Sequence, residues 1–415
     1  MTQVSLLASK PRFEILDGLR GVAAVIVVVF HLFEPYSDPA HQLLNHGYLA
    51  VDFFYVLSGF VIGYAYDDRW HKMTIKDFFK RRLVRLHPLL IMGNLLGAIL
   101  FYFGASSAWP LIENAPCWKV LLLFLLGCTM LPALTSWDIR GQQETHPFNG
   151  PSWSLLYEYI GNILYALIIH RFSKTVLTIF VIGSAFFILD LSLNLDVFGL
   201  LASRSPPTHY TVIGGWCITP TQVYIGFTRL LYPLLAGLLV FRMNKLIKVT
   251  AGFWWCSLLI TIILVMPRIG GGAHAWWNGA YEAFCILIVC PVIVAMGAGS
   301  TITGKRSVDL CQFLGEISYP LYITHYPFIY LQTAWIYSHP DASLGTTIFL
   351  NVSTFVMAVG TAYACLKLYD IPVRAWLQKR YLLSTHTEKT PKKGTEMQAP
   401  EQTSVILFTP VPTTK

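Results

Sequence analysis

Residues 13–36 read FEILDGLRGVAAVIVVVFHLFEPY. The stretch is an apolar run long enough to cross a bilayer. It carries two groups that do not belong in hydrocarbon, Arg20 and His31. In a helix their spacing is three turns plus about 20°, so both lie on one face, roughly 16 Å apart along the axis. Ionisable groups held there are expensive and mark a functional site by default.

The rest of the chain extends this reading. Its 415 residues are 54% hydrophobic and only 13% charged, with mean hydropathy +0.54. Soluble domains carry about 25% charged residues. Eleven apolar segments follow one another, near 16–36, 47–66, 88–105, 118–137, 153–170, 175–197, 223–241, 250–266, 280–298, 317–336 and 344–368. The predicted fold class is an all-α polytopic helical membrane bundle. The net charge of +8 sits in short loops between apolar runs, which is a topology signal and not a nucleic-acid surface. The eight cysteines form no CxxC pair, so neither a metal site nor a disulfide framework is expected. The first residues lack the pattern of a cleavable signal peptide.

Basic residues cluster at 69–87, at Arg171 and Lys174, at Arg242 to Lys248, at Lys305 and Arg306, and after 370. The positive-inside rule puts all of them in the cytoplasm. That creates a parity problem, because the loops after the second, fifth, seventh, ninth and eleventh segments cannot all be inside if every segment crosses. One of 88–105 and 118–137 should therefore be re-entrant, buried by its neighbours. About ten spans remain, with both termini cytoplasmic. Residues 1–12 are read as a short cytoplasmic N-terminus, 13–380 as the membrane domain, and 381–415 as a disordered tail rich in Thr, Pro, Lys and Gln. No soluble domain is expected at either end.

With that topology, His31, Asp52 and Glu158 each fall five residues from an outer boundary, about 8 Å deep. His325 falls near mid-membrane. Two imidazoles and two carboxylates at comparable depth suggest one polar chamber suited to proton transfer. Interhelical hydrogen bonding is the plainer alternative. Arg20 cannot bridge to His31, and sits at the inner end of the same groove with Asp17 as a neighbour. Arg82 and Arg85 share a helical face and suit phosphate binding, although a topology-setting role is equally open. On the second segment, Ser58, Gly59 and Gly63 are small residues, and the two glycines favour close helix packing. Ser152 is a candidate N-cap. Pro320 and Pro327 should free backbone carbonyls around His325.

Taken in order, these stretches resemble the acyltransferase 3 family of integral membrane acyltransferases. LDGLRGVAAVIVVVFH is similar to its opening motif through Arg20 and His31. GYLAVDFFYVLSGFVIGY resembles its second-helix motif through Asp52, Phe53, Phe54, Ser58, Gly59 and Phe60. RRLVRLHPL matches its arginine pair, Arg82 and Arg85. GPSWSLLYEY matches through Glu158, and LGEISYPLYITHYP through Ser318, Tyr319 and His325. The late acidic-Lys-Pro pattern is altered, with Asp370 and Pro372 but no lysine.

The resemblance implies an acyl-CoA co-substrate met from the cytoplasm, with acetyl the default group, and no tightly bound cofactor. It implies a hydroxyl acceptor such as a cell-surface glycan, and a location in the cytoplasmic membrane if the host is bacterial. The expected arrangement has the nucleotide near Arg82 and Arg85, the pantetheine arm passing Arg20, and His31 as general base oriented by Asp52 or Glu158. Ser58, Gly59, His325 and Tyr319 support the site. An exporter of a glycan or lipid-linked sugar is the alternative, and it predicts paired repeat halves that the sequence does not display.

Overall fold

The computed structural model describes residues 10–37, 42, 44–269 and 274–383. The proposed tail from 384 onward and the first nine residues lie outside these, as do parts of the loops 37–46 and 267–279. Fourteen α-helices follow in order: α1 Glu14–Phe33, α2 Ala50–Tyr66, α3 Ile75–Leu100, α4 Cys117–Thr129, α5 Ser152–Leu167, α6 Lys174–Ser192, α7 Pro220–Met243, α8 Gly252–Val265, α9 Trp276–Phe284, α10 Cys290–Gly299, α11 Lys305–Thr324, α12 Tyr326–Ser338, α13 Leu344–Ala364 and α14 Ile371–Leu377. No strand occurs among the described residues. The protein is an all-α polytopic membrane bundle.

Among the described residues, seven stretches are long and apolar enough to cross a membrane: Glu14–Tyr36, Gly47–Lys72, Ile75–Leu100, Lys174–Ser192, Pro220–Met243, Trp276–Gly299 and Leu344–Leu382. The shorter helices α4 and α8 are apolar too, α5 has 16 residues, and α11 and α12 meet at His325. Of the two candidates for a segment that fails to cross, α3 runs unbroken for 26 residues. The other, α4, has 13 residues and ends at left-handed Met130. At 1.5 Å per residue α4 is about 20 Å long, short of a hydrocarbon core of about 30 Å. It is held against α3 by Asn94, whose Nδ2 donates to the Phe124 carbonyl at 2.8 Å.

Two boundaries differ from the sequence expectation. The third segment begins at Ile75, not 88, so the basic stretch 76–85 is the first half of a helix. Its start is fixed by a capping box: Thr74 Oγ1 accepts from the Asp77 backbone N–H, and the Asp77 carboxylate accepts from the Thr74 N–H. Ser152 is the first residue of α5 and caps nothing; the residue before the helix is Pro151.

Small residues set the closest helix pairings. Along α1 and α11, a Cβ added at Gly21 would strike the Leu314 backbone, and one at Gly315 would meet Asp17. Along α2 and α7, a Cβ at Gly59 would strike the Leu234 carbonyl, and one at Gly237 the Val56 carbonyl. These two pairs bring Arg20 against α11 and Asp52 against α7.

Candidate active site

Gly47, just before α2, abuts Phe30 beside His31. The start of α2 therefore lies at the histidine end of α1, and Ser58 and Val61 lie toward Arg20. Between α1, α2, α3, α5 and α11 is a cavity. One end is polar, with Arg20, Arg82, Arg85, Glu158, Ser58 and Ser318 on its wall. The other end is mainly aromatic and apolar, with Val51, Phe54, Tyr55 and Tyr322, plus Ser154. On α2 alone the wall runs from Val51 to Val61, about 15 Å of helix.

At the polar end, Arg20 donates from Nε to Ser318 Oγ at 2.7 Å and from Nη2 to the Gly315 carbonyl at 2.8 Å. Asp17 lies 3.4 Å from the same guanidinium, as its spacing suggested. Arg82 donates to Glu158 Oε1 at 2.7 Å, and Ser58 Oγ donates to that same oxygen at 3.3 Å. Tyr319 donates to the Leu86 carbonyl at 2.6 Å and so ties α11 to α3. Arg85 forms no hydrogen bond or ion pair among the described residues. Three guanidiniums against two carboxylates, Glu158 and Asp17, leave this end with an excess of positive charge.

Beyond the aromatic end lie the histidines. The His31 and His325 rings stack with centroids 5.3 Å apart. His325 is fully buried, and its Nδ1 lies 3.0 Å from the Leu321 carbonyl. Asn149 explains how the proline-broken helix is tolerated here: Pro327 has no N–H for the Ile323 carbonyl, and Asn149 Nδ2 donates to that oxygen at 2.7 Å.

The structure corrects the expected orienting carboxylate. Asp52 is fully buried and engages Arg229, which donates from Nη2 to Oδ2 at 2.6 Å and from Nε to Oδ1 at 3.2 Å. Glu158 belongs to Arg82, at the opposite end of the cavity. The carboxylate beside His31 is Glu34, with Oε1 2.8 Å from Nδ1. Its other oxygen accepts from Tyr326 Oη at 3.2 Å, and the Tyr326 ring packs edge-on to His31 at 4.8 Å. Depth along each helix was a poor guide because the helices face different neighbours: Asp52 meets α7 and Glu158 meets α3. Gly59 serves packing against α7, not the chamber.

Sequence reasoning missed three groups. Arg229 was detectable as a cation inside the apolar run of α7. Glu34 lies three residues beyond His31, within helical reach. Glu144 offered no signal, because it comes from the loop before α5. It accepts from Tyr330 Oη at 2.6 Å, and burial, reinforced by the nearby carboxylates Asp138 and Glu34, pushes it up to about 7.

The acyltransferase 3 family model, described as an acyltransferase domain, matches residues 13–367. The chain belongs to this family. Its relatives include protein 2 in the picA locus of Rhizobium radiobacter, 34% identical over 166 residues, covering 37% of this chain and 81% of that protein. O-acetyltransferase OatA of Staphylococcus aureus is 25% identical over 347 residues, 76% of this chain, and the match spans half of OatA's own length. Acyltransferase MdmB of Streptomyces mycarofaciens is 24% identical over 330 residues, 76% of this chain and 78% of MdmB. No solved structure matches the chain.

Proposed function

We propose that this membrane O-acyltransferase moves an acyl group, acetyl by family likeness, from acyl-CoA to a hydroxyl of a cell-surface glycan or related acceptor. The observation that carries the reading is the polarity of the cavity: three guanidiniums at one end, one of them unpaired, and a histidine pair beyond the other. Guanidinium groups take phosphate oxygens through charge-assisted hydrogen bonds. The first turns of α3 are basic, with Lys76, Lys80, Arg81, Arg82 and Arg85, so in this reading the arginine end faces the cytoplasm, where acyl-CoA is found.

In this mechanism Arg85 and Arg82 hold the nucleotide phosphates, and the pantetheine arm extends past Arg20 toward the aromatic end. His31, with Glu34 Oε1 2.8 Å from its Nδ1, offers Nε2 to the acceptor hydroxyl. The hydroxyl oxygen bonds to the thioester carbon as its proton passes to His31. The C–S bond breaks, and the CoA thiolate takes up the proton. OatA is named an O-acetyltransferase, and MdmB an acyltransferase, which supports the reaction class.

The test is acetyl-CoA binding and turnover by the full chain in lipid discs, with wild type beside His31→Ala. Turnover lost in the variant, at unchanged membrane abundance, is the expected result. Folded wild type that neither binds nor consumes acetyl-CoA would end the acyl-transfer reading and favour transport through the same chamber.

A further inference from the structure

The donor cavity stops one side chain short of the histidines. Neither His31 nor His325 is on its wall, whereas Tyr322 and Ser154 are. Tyr322 is one helical turn before His325 on α11, and its ring centroid lies 6.1 Å from the imidazole. On its other side it meets Phe54 of α2 edge-on at 5.6 Å. Its hydroxyl is tethered across to α5: Tyr322 Oη and Ser154 Oγ are 2.7 Å apart. Ser154 is itself fixed, with its Oγ 2.9 Å from the Pro151 carbonyl and its own carbonyl accepting from Tyr55 Oη at 2.8 Å. Three helices thus contribute side chains to the wall between the arginine-lined space and the histidine pair.

We infer that Tyr322, latched by Ser154, is the septum that separates the donor thioester from the acceptor side of the membrane. The inference rests on the acyl-transfer reading. A thioester that stood open to both faces would meet water as readily as an acceptor hydroxyl, and water is far more concentrated. The productive encounter requires the ring to move aside, and its hydroxyl is held lightly, by one hydroxyl–hydroxyl hydrogen bond of about 1 kcal/mol and a long contact to the Pro151 carbonyl at 3.5 Å. Tyr322 is a positioning residue: it decides when His31 and the thioester meet, and it takes no proton in the step itself.

The test is hydrolysis of acetyl-CoA without any acceptor, read as thiol release by the full chain in lipid discs. Acetyl-CoA binding is measured on the same samples. Wild type should bind acetyl-CoA and release thiol slowly. Tyr322→Ala removes the partition, and its acceptor-free hydrolysis should rise about tenfold or more, a barrier change of about 1.4 kcal/mol. Tyr322→Phe and Ser154→Ala remove only the latch and should show smaller rises in the same direction. A residue with a merely structural role would lower binding and turnover together instead. If Tyr322→Ala does not accumulate, Tyr322→Phe and Ser154→Ala decide. Variants that bind acetyl-CoA like wild type and hydrolyse it no faster would overturn the septum while leaving the acyl-transfer reading intact. Wild type that fails to bind acetyl-CoA would remove both.

Discussion

Glu34 Oε1 lies 2.8 Å from His31 Nδ1, one turn further along the chain at the end of α1. A carboxylate this close to the ring stabilises the imidazolium once it forms. Tyr326 holds the carboxylate from behind. His31→Ala should cut kcat by about 10²–10⁴-fold, the usual contribution of a positioned base. Glu34→Ala should cost less, about tenfold or more, because the base survives without its orientation. Turnover in lipid discs with abundance controlled is the measurement; wild-type kcat in Glu34→Ala would remove this carboxylate from the mechanism.

Arg85 reaches the cavity with no hydrogen-bond or ion-pair partner among the described residues, so its charge is available to a ligand. Arg85→Ala should raise the KM for acyl-CoA by about 10- to 100-fold, the value of one or two charge-assisted hydrogen bonds. The kcat should change much less. Arg85→Lys should recover only part of the loss, since an ammonium cannot form the bidentate contact. A fall in kcat at constant KM would show that Arg85 acts elsewhere.

Asp52 and Arg229 form an ion pair with side chains 0% and 1% exposed. Removing one partner strands a buried charge, at a cost of about 3–5 kcal/mol. Arg229→Ala and Asp52→Ala should therefore lower thermal stability and membrane abundance. The protein that remains folded should keep kcat near wild type. Melting and turnover measured on the same preparation separate these effects. A folded, fully stable Asp52→Ala with no activity would return Asp52 to the chemistry.

Glu144 lies in the loop before α5, and burial raises its pKa from 4.5 to about 7. Between those values the folded chain retains a proton that the unfolded chain has released. Stability from this group is full below about 4.5 and is lost as pH rises through about 7. Glu144→Gln keeps the acceptor for Tyr330 but cannot ionise. Melting temperatures between pH 5 and pH 8 should fall less steeply in Glu144→Gln than in wild type. Parallel profiles would show that Glu144 does not titrate in this window.

Much of the molecule was legible along the chain. Apolar runs of bilayer length report directly on the solvent around them, so the helical membrane class followed from composition and segment length. Charge asymmetry between loops raised the parity problem, and of its two candidate segments α4 is the shorter. The arginine end of the cavity was also visible: Arg20 stands out in an apolar run, Arg82 and Arg85 share a helical face, and the family resemblance pointed to Ser318.

What the sequence could not supply was the pairing of groups from different helices. Spacing gives the face and approximate depth of a residue on its own helix, but not which helix lies opposite. Asp52 and Glu158 were placed beside His31 by depth alone. Close packing at Gly59 and Gly237 instead docks α2 on α7 and hands Asp52 to Arg229, while Glu158 faces Arg82 on α3. The His31–His325 stack and the Tyr322–Ser154 latch likewise exist only once α1, α5 and α11 are assembled. In a medium with no water to satisfy them, buried polar groups take whatever partner the packing presents. The sequence by itself determined which residues had to be paired or used, and the tertiary structure decided with whom.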